Sequence, residues 1–162
     1  MTMRIGTPNW DKYFLMIADV VKLRSKDPNT QIGAVIVDDD NQIVATGYNG
    51  FPRGALNVAE RFERPLKYDF FEHAERNAIY AAARRGVPLK GCKLYLVGKH
   101  FSCLDCARAI IQTGISEVHL PAPDYSNSTF KFGAAEALLK ECGVEVVVYS
   151  DPLASPEWDD KT

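Results

Sequence analysis

Apolar positions along the chain recur with two different periods, and the switches between them mark the elements. Phe14, Ile17, Ala18 and Val21 fall on one face of a helix that Thr7-Pro8-Asn9-Trp10 opens and Asp27-Pro28-Asn29 stops. Gln31 to Val37 and Ile43 to Tyr48 are apolar, β-branched runs, and Asp38-Asp39-Asp40-Asn41 between them reads as the turn of a hairpin. A calcium loop of twelve residues, with its internal Gly and terminal Glu, is missing there, so the turn reading stands. Residues 50–72 have no regular pattern and contain Pro52, Gly54 and Pro65, which predicts a long insertion serving function or subunit contact. Beyond it, helix and strand alternate three times. The helices are read over His73 to Arg85, Leu104 to Thr113 and Phe130 to Glu141, and the strands over Cys92 to Val97, Glu117 to Leu120 and Val144 to Tyr149.

This order predicts an α/β fold of three layers, with a mixed five-stranded sheet flanked by helices. A helix separates each of the last three strands, so these three should run parallel through right-handed crossovers. Residues 1–150 read as a single domain that includes the insertion at 50–72, and residues 151–162 as a polar tail.

Composition narrows the function classes. The 162 residues carry 19 Lys plus Arg against 21 Asp plus Glu, a formal charge of -2. A dedicated nucleic-acid binder usually carries a basic surplus, so no nucleic-acid partner is expected. The apolar runs are only a few residues long, which predicts neither a membrane span nor a signal peptide. Four cysteines are too few for a disulfide framework, and the expected setting is the reducing cytoplasm. The cysteines therefore read as thiols or metal ligands.

Two short segments carry the candidate chemistry. His73-Ala74-Glu75 opens one predicted helix, and Cys103-Leu104-Asp105-Cys106 opens another. A Cys-x2-Cys pair offers two thiolates from one turn, a spacing that suits tetrahedral zinc but also a redox dithiol or half of a closed structural site. Cys92 and Cys142 form no second such pair and read as core residues, so an all-cysteine site is poorly supported. One histidine with two thiolates leaves a fourth position open, which is the catalytic pattern. Glu75, two residues from His73, is a poor co-ligand and suits a proton carrier facing that position. His100 reads as a loop residue near the site, and His119 as packing or surface.

In these segments the sequence resembles the zinc-dependent cytidine and deoxycytidylate deaminases, whose signature is His-x-Glu followed by Cys-x2-Cys. The likeness extends to Arg24-Ser25-Lys26-Asp27-Pro28-Asn29-Thr30-Gln31-Ile32-Gly33-Ala34 and to Gly47-Tyr48-Asn49-Gly50-Phe51-Pro52. It includes His73-Ala74-Glu75-Arg76-Asn77-Ala78-Ile79 and Ile110-Ile111-Gln112-Thr113-Gly114-Ile115, and covers residues 9 to 150. The deoxycytidylate branch is the nearer one.

The resemblance implies the cytidine deaminase-like fold and hydrolytic conversion of dCMP to dUMP and ammonia, a supply of the precursor of dTMP. It implies one zinc per chain on His73, Cys103 and Cys106, with Glu75 moving protons. Asn49 would hold the sugar hydroxyl, Arg24, Ser25 and Lys26 would lie near the 5′-phosphate, and Tyr125 would line the pocket. Family members are often homo-oligomers, commonly hexamers, with dCTP and dTTP as effectors. The sequence departs from the pattern at Ser102, where the family has Pro, and at Arg76, where a less polar residue is frequent. Residues 50–72 contain no His or Cys for a second zinc. The departures keep open a different aminated nucleotide as substrate, such as dCTP, a modified dCMP or a purine nucleotide. A zinc-stabilised binding protein without catalysis is the remaining alternative, and Glu75 argues against it.

Overall fold

A computed structural model describes residues 6–151 and 158–159. Asn9 caps the first helix, α1 (Trp10–Lys22), by accepting the Lys12 amide on its side-chain oxygen at 2.8 Å. The hairpin forms from β2 (Gly33–Val37) and β3 (Ile43–Tyr48), with a register shift between Ile36 and Val37. Three helix–strand pairs follow: α3 (Ala74–Arg85) and β4 (Lys93–Val97), α4 (Leu104–Gln112) and β5 (Glu117–Pro121), then α5 (Phe132–Glu141) and β6 (Glu145–Tyr149). These match the sequence expectation to within two residues at each end.

The five-stranded sheet has the order β3-β2-β4-β5-β6. β2 is antiparallel to both β3 and β4, whereas β4, β5 and β6 are mutually parallel as expected. The sheet is covered on both sides, so even a hairpin strand is apolar throughout, and all of β2 is buried. Val35 and Val37 point with Tyr95 and Val97 toward Phe14, Leu15 and Ala18 of α1. Ala34 and Ile36 point the other way, into a larger core with Ala74, Ala78, Cys106, Ile110 and Leu139. His119 lies in the α1 layer, stacked on Tyr95 at 4.4 Å between ring centroids and hydrogen-bonded to Glu117 at 2.6 Å, so it is a packing residue.

Some features were not predicted. A short helix, α2 (Lys67–Phe70), lies inside the insertion, and β1 (Thr7–Pro8) pairs antiparallel with β7 (Trp158–Asp159). The remainder of the predicted tail from residue 152 lies outside the described residues. One expectation is corrected: Cys142 caps the end of α5 and is exposed, while Cys92 is buried as expected. No helix among the described residues is long and apolar enough to cross a membrane.

The sheet determines where the site can lie. Gly33 pairs with both Tyr48 and Val97, so the end of β3, the start of β2 and the end of β4 meet at one edge. The first turns of α3 and α4 reach this same edge. α3 can do so only because it packs directly on β3. A Cβ placed on Gly47 would collide with the backbone of Ala74 and Ala78, so this position requires glycine. Backbone atoms cannot yield as a flexible side chain can. Gly47→Ala should therefore destabilise the protein by about 1–3 kcal/mol, seen as a melting temperature lower by roughly 2–12 °C in thermal denaturation.

Candidate metal centre and its pocket

Both predicted ligand segments are helix caps. His73 is the N-cap of α3 and Cys103 the N-cap of α4, each with extended backbone. The Cys103 sulfur accepts the Cys106 amide at 3.5 Å, so the turn that exposes the two thiols also orients them. Phe130 adds a backbone bond, accepting the Leu104 amide at 3.2 Å. His73 Nδ1 then lies 3.3 Å from Cys103 Sγ and 3.5 Å from Cys106 Sγ. Tetrahedral zinc, with bonds of about 2.3 Å to sulfur and 2.0–2.1 Å to nitrogen, would separate N and S by roughly 3.6 Å. The three donors fit zinc.

The electrostatics agree with the donor geometry. A hydrogen bond from Cys106, opposed by the cost of burial and helped by the His73 ring, brings the Cys103 thiol down to about 4. Cys106 moves up, because it gives that hydrogen bond and is buried. Burial alone would lower His73, but its contact with Cys103 and the nearby Glu75 carboxylate outweigh it and push the ring upward. Arg76 supplies lasting positive charge behind the thiols. Its guanidinium bonds Glu72 through Nε at 2.6 Å and through a terminal nitrogen at 2.5 Å, and reaches Asp105 of α4 at 3.9 Å. The substitution at Arg76 thus reads as an ion-pair clamp between the two helices that carry the ligands.

Glu75 is buried in the first turn of α3, and its carboxyl lines the same cavity as His73 and Cys103. Burial raises it above the ordinary carboxyl range, against the opposing pull of the His73 ring. Ser102 lies beside it, fully buried, with an Oγ that makes no hydrogen bond of ordinary geometry.

The cavity has an aromatic wall of Tyr68, Phe71, Phe101, Phe130 and Phe132. Phe130 meets the His73 ring edge-on at 5.8 Å and stacks on Phe132 at 5.7 Å. The insertion contributes much of this wall. Gly50 and Glu72 exchange backbone hydrogen bonds at 3.0 and 2.8 Å, which closes the loop at its base. Phe51, Phe62 and Phe71 pack edge to face inside it. α2 then turns Lys67 inward, where its ammonium pairs with Asp27 at 2.5 Å, both side chains being more than nine-tenths buried.

Asp27 also accepts the amides of Asn29 at 2.9 Å and Thr30 at 3.2 Å, and the Asn49 side-chain amide at 3.2 Å. Asn49 lines the cavity as expected, and it has a structural task as well. Its Nδ2 donates to Thr30 O at 2.8 Å and its Oδ1 accepts the Ile32 amide at 2.9 Å, leaving one acceptor lone pair.

The other sequence candidates fall elsewhere. Residues 24–27 alternate out and in, so Arg24 and Lys26 are exposed while Ser25 and Asp27 are buried. Ser25 donates its hydroxyl to Asn49 O at 2.8 Å and braces the loop. Arg24 and Lys26 do not line the cavity. Tyr125 is exposed, with its hydroxyl on Glu136 at 2.7 Å, and the wall expected of it is supplied by Phe71 and Phe130. The sequence reasoning missed Arg64, Lys67, Tyr68, Phe71 and Phe130. For the first four, the cluster of aromatic and basic residues over 61–71 was the available signal.

Residues 8–121 match the family described as the cytidine and deoxycytidylate deaminase zinc-binding region. The "Uncharacterized deaminase in luxG 3'region" of Aliivibrio fischeri is 43% identical over 140 residues, covering 85% of this chain and 91% of that protein. Human deoxycytidylate deaminase is 39% identical over 141 residues, covering 83% of this chain and 76% of its own length. The crystal structure of dCMP deaminase from the cyanophage S-TIM5, in apo form, superposes with a TM-score of 0.70 at 26% identity, over 88% of this chain and 99% of that one.

Two outcomes follow from the site geometry. Purified protein should contain about one equivalent of zinc by elemental analysis, and Cys103→Ser or Cys106→Ser should lose most of it. Lys67→Met leaves Asp27 buried without its cation and should cost about 3–5 kcal/mol in chemical denaturation, with part recovered in the Asp27→Asn/Lys67→Met double variant.

Proposed function

The chain belongs to the cytidine and deoxycytidylate deaminase family, and we propose that it hydrolyses dCMP to dUMP and ammonia. One observation carries this reading: a buried carboxyl, Glu75, shares a cavity with the His73, Cys103 and Cys106 donor set. A binding protein stabilised by zinc needs the three donors but has no use for a buried acid beside them.

His73, Cys103 and Cys106 would hold the metal. Bound there, zinc supplies Lewis acidity that makes water a competent nucleophile near neutral pH. Glu75 accepts the proton that this water releases and delivers it to N3 of the cytosine ring. With N3 protonated, C4 accepts the attacking oxygen. Glu75 then takes the remaining proton of the oxygen added at C4 and passes it to the 4-amino group, and the C4–N bond breaks to release ammonia as the C4 carbonyl forms. The raised carboxyl suits this work, because a group with its proton affinity moved toward neutrality can both take and give. The low-dielectric aromatic wall of Phe71 and Phe130 keeps the base flat and limits bulk water. Asn49 Oδ1 has one lone pair free to accept a sugar hydroxyl, and its other bonds hold it in place for that contact.

The finer parts of the reading are proposals as well. A homo-oligomer, hexameric as is common in the family, is supported by an exposed apolar row along α1 and its C-cap, formed by Trp10, Tyr13, Met16, Val20 and Leu23. Regulation by dCTP and dTTP, and a cytoplasmic setting, rest on the family likeness.

Replacing Glu75 by Gln should lower kcat for dCMP by roughly 10²–10⁴-fold while the zinc content stays unchanged. Ammonia release and metal analysis on the same preparation check both halves. Activity preserved in Glu75→Gln would overturn the proton-carrier role.

A further inference from the structure

The polar side chains around the cavity fall into two sets. Arg64 and His100 border both the cavity and the open cleft outside it, whereas Asp27, Asn49 and Lys67 border the cavity alone. The inner three come from separate segments: the loop after α1, the residue that follows β3, and the helix α2 inside the insertion. One atom joins them. Asp27 Oδ2 receives the Lys67 ammonium at 2.5 Å and the Asn49 side-chain amide at 3.2 Å.

Asn49 and Lys67 each keep a bonding capacity unused. Asn49 Oδ1 accepts the Ile32 amide at 2.9 Å and has a second lone pair. An ammonium has three N–H groups. Among the described residues, Lys67 Nζ gives one to Asp27, and its other contact is the Phe71 ring, 5.2 Å from the centroid. A donor and an acceptor, on residues more than nine-tenths buried, are thus held by one carboxylate oxygen at the cavity wall.

Charge indicates what this pair of groups suits. Asp27 and Lys67 neutralise each other, so an anion gains little beside them. A neutral group that both donates and accepts gains two hydrogen bonds, and a hydroxyl is such a group. In a 2′-deoxynucleoside 5′-monophosphate the free sugar hydroxyl is the one at C3′.

We propose that Lys67 is a second reader of the sugar: its ammonium donates to the 3′ oxygen, Asn49 Oδ1 accepts the 3′-hydroxyl proton, and Asp27 holds both in place. The inference rests on the deaminase reading above, with Asn49 on the sugar, and extends it to a specificity-determining residue in the insertion. A sugar without the 3′ oxygen leaves a buried N–H and a buried carbonyl unpaired, and this penalty is the source of the discrimination.

The test measures steady-state ammonia release from dCMP and from 2′,3′-dideoxycytidine 5′-monophosphate, expressed as the ratio of their kcat/KM values. That ratio does not depend on how much of the protein is folded, so variants of this buried pair can be compared despite unequal stability. Wild type should favour dCMP by roughly a hundred-fold or more. Asp27→Asn/Lys67→Met removes the ammonium without stranding a carboxylate and should lower the preference by roughly ten-fold. Asp27→Asn/Lys67→Gln restores a side-chain donor and should recover most of it. Calorimetric titration with dUMP and with 2′,3′-dideoxyuridine 5′-monophosphate makes the same comparison without turnover.

Wild-type protein indifferent to the 3′ oxygen would overturn the proposal, as would a preference that Asp27→Asn/Lys67→Met leaves unchanged. So would an equal fall in the two double variants, since Lys67 would then act through the placement of Asn49 alone. If wild type deaminates neither nucleotide, the deaminase reading fails, and the two titrations still decide whether Lys67 reads the hydroxyl.

Discussion

A carboxylate removed from water must find donors, and Asp27 finds four. The substrate side of the molecule is organised around that requirement. Two amides of the following loop fix the chain just after α1, the Asn49 side chain ties in the end of β3, and the Lys67 ammonium anchors the insertion. Three segments distant in sequence converge on one charge. Without it, the insertion would retain its own aromatic cluster but lose the link that sets it against the cavity. The ion pair need not add net stability to have this effect, since desolvation offsets much of the attraction. It specifies position, because a buried Lys67 has nowhere else to satisfy its charge.

The chemical side is built by a different means. His73 and Cys103 occur where helices begin, and helices begin there because extended capping residues precede good helix formers. Unpaired amides and the positive ends of two helix dipoles face the thiols, and Arg76 adds a full charge behind them. The donor set is thereby held by backbone that the α/β frame already requires. Glu75 follows from the same turn. Two residues past the cap, it points away from the ligand direction and into the cavity.

This difference explains what could be read from the chain alone. The sheet, its parallel half and the three donors with Glu75 were legible, since each depends on local periodicity or on spacing within one turn. Gly47 and the small residues of α3 also agree between pattern and packing. The wall was not legible. Arg64, Lys67, Tyr68 and Phe71 lie in a segment without period, and their orientation is set by contacts with Asp27 and Phe51 far along the chain. Arg24 and Lys26, expected near a phosphate, do not line the cavity for a simple reason. An extended segment alternates its side chains, and burying Ser25 and Asp27 sends the two cations between and before them to solvent. Tyr125 was attractive as an aromatic near a proline-containing turn, but its hydroxyl found Glu136 on the outer face of α5.

The insertion closed by Gly50 and Glu72 leaves the sheet and returns to it at nearly the same point. Whatever is placed between those two residues must therefore fit over the cavity without disturbing β3 or α3. Selection of the ligand and the chemistry performed on it are in this way carried by separable parts. A lineage could exchange the contents of this loop and acquire a new substrate while inheriting the metal centre whole. An engineer could do the same by grafting between two fixed anchor points.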